Sequence, residues 1–167
     1  MRESGRQLSS EEMEHVNKLQ SDVYLHRFSE VHSLPGASDL LSTFSKLSVP
    51  FVIGTGGKRA HVQPSLDLLG VSHGTTAVTG DEVQNAKPSP DLFLSCAERL
   101  GVDIKNCLVV GDSTWDILAA QRTRALGIGL LSGGFGEEEL LRAGAYRVYR
   151  DPADLLTRLD EIGIQSA

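Results

Sequence analysis

The sequence predicts an α/β domain built on a parallel sheet with helices on both faces. Two observations carry that prediction. From residue 36 onward, short apolar runs alternate with segments of helical periodicity. The apolar runs, such as "FVIG" and "CLVVG", are continuous rather than alternating, which is the pattern of strands buried on both faces.

The elements follow in order. "LSSEEMEHVNKLQSDVYLHRFSEVH" opens with a capping-box pair, Ser9 and Glu12, and Met13, Val16, Leu19, Val23 and Phe28 fall near one helix face. Pro35-Gly36 breaks that segment. "ASDLLSTFSKL" predicts a helix, "VPFVIGTGG" a buried strand ended by glycines, and "GKRAHVQPSLDLLG" a helix that Pro64 is expected to break or restart. "TTAVTG" predicts a strand and "DEVQNAKPSP" a polar loop. "PDLFLSCAERLG" predicts a helix with Pro90 at its start and Gly101 at its stop. "NCLVVGD", "TWDILAAQRTRAL", "GIGLLSGG", "EEELLRAGA" and "YRVYR" continue the alternation, and "PADLLTRLDEIG" predicts a closing helix. Residues 1–34 stand outside the alternation as a helical appendage, and 35–167 form the α/β core.

Composition narrows the partners. A net charge of −6 argues against nucleic acid and anionic membranes, which reward clustered Lys and Arg. No apolar run reaches membrane-span length, and the N-terminal stretch lacks a signal-type apolar core. Cys96 and Cys107 have no metal spacing and read as buried, reduced thiols, which suits a cytoplasmic protein. The histidines at 15, 26, 32, 61 and 73 are scattered, so a zinc site is not expected.

Polar groups gather at the expected strand ends and in one loop. Thr55 with Gly56 and Gly57 follows one strand, Asp112 follows another with Asp116 four residues on, and Lys87 lies in the "DEVQNAKPSP" loop. In parallel sheets, ligands bind at the carboxyl ends of strands. A hydroxyl with glycine N–H groups can cradle phosphate. A carboxylate pair can hold Mg2+, and a lysine can neutralise phosphate oxygens. Alone, each has a plainer reading. Thr55 would cap the next helix, Lys87 would be solvated, Asp112 would be an N-cap and Asp116 a partner of the helix dipole. Together those plainer readings account poorly for three clustered features.

"FVIGTGG", "NAKPSPDLF" and "LVVGDSTWDILAA" resemble the second, third and fourth motifs of the haloacid dehalogenase (HAD)-like hydrolase superfamily. "SLPGASDLLSTFSKL" and "DEVQNAKPSPD" are similar to the phosphoglycolate phosphatase and β-phosphoglucomutase subgroup, which carries a helical cap. The resemblance implies a three-layer Rossmann-like core, with residues 1–34 as a remnant of the cap. It implies an Mg2+-dependent phosphatase of a small phosphorylated metabolite. Thr55, Gly56, Gly57 and Lys87 would bind the phosphoryl group, Asp112 and Asp116 would hold the metal, and Ser113 would lie near it. In such relatives an Asp-x-Asp-x-Thr motif supplies the nucleophile and the general acid-base, and its strand lies mid-sheet. No Asp-x-Asp occurs in these 167 residues. The expectation is therefore a shortened, inactive chain without the central first strand. The strands ending at Thr55 and Asp112 would either pair directly, bind a strand-donating partner or second copy through an open edge, or leave the chain poorly stable. A non-catalytic phosphate-binding or interaction module is the alternative. A receiver-like signalling domain is a weaker one, because a receiver carries its acidic cluster early and its lysine late.

Overall fold

The computed structural model describes residues 8–70 and 76–165. His73, Thr75 at the start of "TTAVTG", and residues 1–7 of the N-terminal stretch lie outside the described residues. The chain falls into two compact units, residues 1–32 and 33–167.

The first unit is built on one helix, α1 (Ser10–His26). The Ser9 hydroxyl accepts from the Glu12 N–H, and the Glu12 carboxylate accepts from the Ser9 N–H. That closes the capping box the sequence announced. A short 3-10 turn, Phe28–Glu30, follows, with Arg27 paired to Glu30 at 2.8 Å and Tyr24 edge-on to Phe28.

The second unit alternates as expected. Its order is α2 (Ala37–Lys46), β1 (Ile53–Gly54), α3 (Arg59–Leu68), β2 (Ala77–Val78), α4 (Asp91–Leu100), β3 (Leu108–Gly111), α5 (Thr114–Thr123), β4 (Leu126–Leu130), α6 (Glu137–Arg142), β5 (Ala145–Tyr149) and α7 (Pro152–Leu156). Two details differ from the sequence reading. Helix α3 runs unbroken through Pro64; the proline lacks an N–H for the Ala60 carbonyl, and losing one bond does not end a helix held on both sides. The closing helix ends at Leu156 and resumes as a 3-10 turn, Leu159–Ile162.

All strand pairs are parallel, but among the described residues they form two sheets rather than one. One is β1-β2, the other β3-β4-β5. Of the three outcomes the sequence left open, direct pairing of β1 with β3 does not form among the described residues. Each keeps one edge without a strand partner. Burial follows the same division: Ile128 at the centre of β4 is fully buried, while Val110 on β3 is 39% exposed. Helix α4 ties the two sheets into one core, since Leu92, Phe93 and Cys96 cluster with Val78 of β2 and Val109 of β3. On the other side, Leu40 and Phe44 of α2 pack with Ile128, Leu130 and Tyr149, and Phe51 before β1 joins them.

Both cysteines are free. Cys96 is buried and its thiol is pushed up to about 11 by that burial. Cys107 is half-buried rather than buried, because it lies just outside β3, and burial raises its thiol too. Among the described residues, no helix is long and apolar enough to cross a membrane.

Beyond the end of β2 sits a polar knot. Thr79 is fully buried, and its hydroxyl lies within 2.7 Å of Glu82. Arg59 and Arg99 both donate to the Ala77 carbonyl and to Glu82. The Thr79 hydroxyl first, then Arg59 and Arg99, hold the Glu82 carboxyl down at about 2, from 4.5. A carboxyl depressed on folding stabilises above its unfolded pKa and loses that contribution as pH falls through the folded value. Acid unfolding followed by circular dichroism is thus expected to show a component between pH 4.5 and about 2 that Glu82→Gln lacks. In urea at neutral pH, Ile128→Ala is expected to remove about 3 kcal/mol of stability. Val110→Ala, at a half-open site, is expected to lose well under that.

Candidate active site

The site begins where β3 ends. Gly111 and Asp112 pass directly into Ser113, the N-cap of α5. The plainer reading of Asp112 as the N-cap is corrected here: the Ser113 hydroxyl accepts from the Asp116 N–H at 3.2 Å. Asp116 completes the box, its Oδ2 accepting from the Ser113 N–H at 3.2 Å and from the Ser113 hydroxyl at 2.6 Å. A Cβ on Gly111 would stand 2.7 Å from the Asp116 Cγ, so only glycine lets this carboxylate fold back over the strand end.

The other oxygen of Asp116 is taken by Lys87, whose Nζ lies 2.6 Å from Oδ1. The carboxylate side chain is 7% exposed and the lysine 26%. Lys87 is thus not a solvated loop lysine. Its loop is held a second time by α5, where Arg122 donates to the Pro88 carbonyl at 2.6 Å. The far end of the loop is tied as well: Asp91 accepts from the Asn85 N–H and side-chain amide at 3.0 Å and from the Ser89 hydroxyl, and these bonds lower its pKa. Arg122 went unrecognised in the sequence because its partner is a backbone carbonyl 34 residues away. The Ser-Pro-Asp sequence at 89–91 did carry a helix-start signal that marks Asp91.

Thr55 follows β1. Its N–H donates to the Val78 carbonyl at 2.9 Å, and its hydroxyl accepts from the Gly57 N–H at 3.2 Å. Thr55 therefore turns the chain on itself and does not cap α3, whose N-cap Lys58 makes no side-chain cap bond. Gly57 in turn accepts from the Gly80 N–H at 2.9 Å, which fixes the glycine turn against the end of β2. Gly56, between them, is exposed.

The structure joins Lys87 to Asp116 directly. Asp112 and Thr55 each sit at the carboxyl end of a parallel strand, in settings of their own. None of the hydrogen bonds and ion pairs among the described residues engages the half-buried Asp112 carboxylate. Among those residues no cluster of three or more His, Cys, Asp or Glu forms a self-sufficient metal cage. That donor set fits Mg2+, which is held by one or two carboxylates and otherwise keeps water or substrate oxygens. It does not fit structural zinc, which needs four protein ligands.

Removing the lysine would leave a buried carboxylate short of a partner. Lys87→Met is expected to lower stability by about 2 kcal/mol in urea titrations. A loss under about 0.5 kcal/mol, the level of an exposed pair, would show that the pair does not organise the site.

A family model for haloacid dehalogenase-like hydrolases matches residues 1–123. The phosphoglycolate phosphatase of Escherichia coli (strain K12) is 32% identical over 126 residues, 75% of this chain and 50% of that protein. The chain thus spans about half the length of this curated relative. A hydrolase from Pseudomonas syringae superposes with a TM-score of 0.91 at 42% identity, covering 95% of this chain and 76% of that one. A HAD family hydrolase from Deinococcus radiodurans, solved with bound phosphate and sodium, gives a TM-score of 0.75 at 30% identity, covering 87% and 68%. The residues matched by the family model include the Thr55 turn, the Lys87 loop and the Asp112–Asp116 strand end, and the receiver-like reading gives way: the chain belongs to the haloacid dehalogenase-like hydrolase family.

Proposed function

We propose that this chain is the phosphate- and Mg2+-binding part of a phosphatase that acts on a small phosphorylated metabolite, of the phosphoglycolate phosphatase type. The observation that carries the reading is the Lys87–Asp116 pair at 2.6 Å, set one helical turn from the unengaged Asp112 carboxylate. An ammonium held by a nearly buried carboxylate is a fixed positive charge, suited to phosphate oxygens. Bound Mg2+ would supply further neutralisation of the transferring phosphoryl group. Asp112 would hold that ion, with Asp116 beside it, while Asp116 also keeps Lys87 in place. The Thr55 hydroxyl, already an acceptor from Gly57, retains its own proton to donate to a phosphate oxygen. That the Deinococcus radiodurans relative was solved with bound phosphate supports phosphate as a ligand for this chain. The two free thiols suit a cytoplasmic setting.

These residues bind and neutralise, but none is a nucleophile paired with a general acid. With no Asp-x-Asp in the 167 residues, the chain alone should turn over phosphomonoesters negligibly. Calorimetry should register inorganic phosphate binding in the presence of Mg2+, weakened at least tenfold by Asp112→Asn and by Lys87→Met. Para-nitrophenyl phosphate should not be hydrolysed above background. Turnover that Asp112→Asn abolishes would sink the inactive reading, and phosphate binding indifferent to both substitutions would sink the site.

A second reading is favoured by the edges of β1 and β3 that lack a strand partner among the described residues, and by the exposed Val110: a module that takes an extended segment from a partner or a second copy. Sedimentation of the chain alone separates the two sources, since only self-association depends on its own concentration.

A further inference from the structure

Asp112 is the carboxylate on which the proposed metal site depends most, yet no hydrogen bond among the described residues holds it. A ligand left without such support wanders, and metal affinity then falls. The close neighbour of Asp112 is a backbone turn instead. The 3-10 turn Leu131–Gly133 after β4 lies against the end of β3. A Cβ on Gly133 would stand 2.7 Å from the Asp112 Cγ and closer still to the Asp112 carbonyl oxygen.

The reason for glycine at 133 is unusual on this turn. Gly133 is not in the left-handed region, so its backbone would accept alanine. Gly134 is the opposite case: its φ is +84, but a Cβ there would meet nothing within 4 Å. One glycine is required for space beside Asp112, the other for backbone conformation. The turn is also not satisfied internally, since the Ser132 Oγ is buried with no hydrogen-bond partner.

We infer that Gly133 is a positioning residue: its bare Cα forms the wall that sets the Asp112 side chain and strand end, and so tunes the cation site. This inference rests on the proposed Mg2+ site for its consequence, but the Gly133–Asp112 contact exists without metal.

The test compares the wild-type chain with Gly133→Ala, Gly134→Ala and Asp112→Asn. Three readouts are taken: amide NMR spectra of the metal-free protein, melting temperature, and titration with Mg2+ alone. Gly133→Ala is expected to move the Asp112 and Ser113 amide resonances and to weaken Mg2+ binding at least tenfold. Gly134→Ala is expected to leave both unchanged and to lower the melting temperature by about 3 °C. Unmoved Asp112 and Ser113 resonances in Gly133→Ala, or wild-type Mg2+ affinity in that variant, overturn the inference. Failure of wild type to bind Mg2+, or equal binding by Asp112→Asn, overturns the proposed metal site instead, and the metal-free spectra still decide the contact. If Gly133→Ala does not fold, the wild-type chain decides: absence of proton–proton contacts between the Gly133 α and Asp112 β positions removes the wall.

Discussion

The Asp116 carboxylate is the point on which the site turns. One oxygen closes the capping box with Ser113 and so fixes how α5 leaves β3. The other holds Lys87, 29 residues earlier in the chain. A single nearly buried group thus ties a strand end, a helix start and a long loop into one geometry. Such a group must be fully partnered, because a buried carboxylate short of donors is costly. Its two partners are one from its own helix and one from across the fold. Gly111 makes the arrangement possible by leaving room for the side chain.

Around that point the unit is held by helices more than by a continuous sheet. The β1-β2 and β3-β4-β5 sheets share no strand pair among the described residues, and α4 and α2 supply the apolar surfaces that join them. Parallel strands are ordinarily buried on both faces, and β4 obeys that rule after its first residue, Leu126, while Val110 within β3 does not. The half-open strand belongs to the same β3 that presents Asp112. Stability and function therefore meet on one short segment, since Val110, two residues before Asp112, is left partly uncovered. Fixing Asp112 by contact with a backbone turn, rather than by a hydrogen bond, leaves its oxygens open to a ligand.

Much of this was legible in the sequence because it is local. The capping box at Ser9 and Glu12 is fixed by a three-residue spacing. Gly101 stops α4 in the left-handed conformation that favours glycine, as its position suggested. The alternation of apolar runs and helical segments produced the element order. The Thr55 turn, the Lys87 loop and the Asp112–Asp116 strand end were marked by residue type and order alone. Pro64 misled, because a local rule about one missing N–H does not measure what the rest of a helix contributes.

What the sequence by itself determined was which groups are present and near which strand ends they sit, since motif spacing and hydrophobic period are properties of neighbouring residues. Only the tertiary structure decided which group holds which. That Lys87 pairs with Asp116, that Arg122 grips the Pro88 carbonyl and that Gly133 walls Asp112 are all contacts between residues more than twenty apart. Such contacts arise when separate elements pack, and no local periodicity encodes the distance between two elements that meet only in the folded chain.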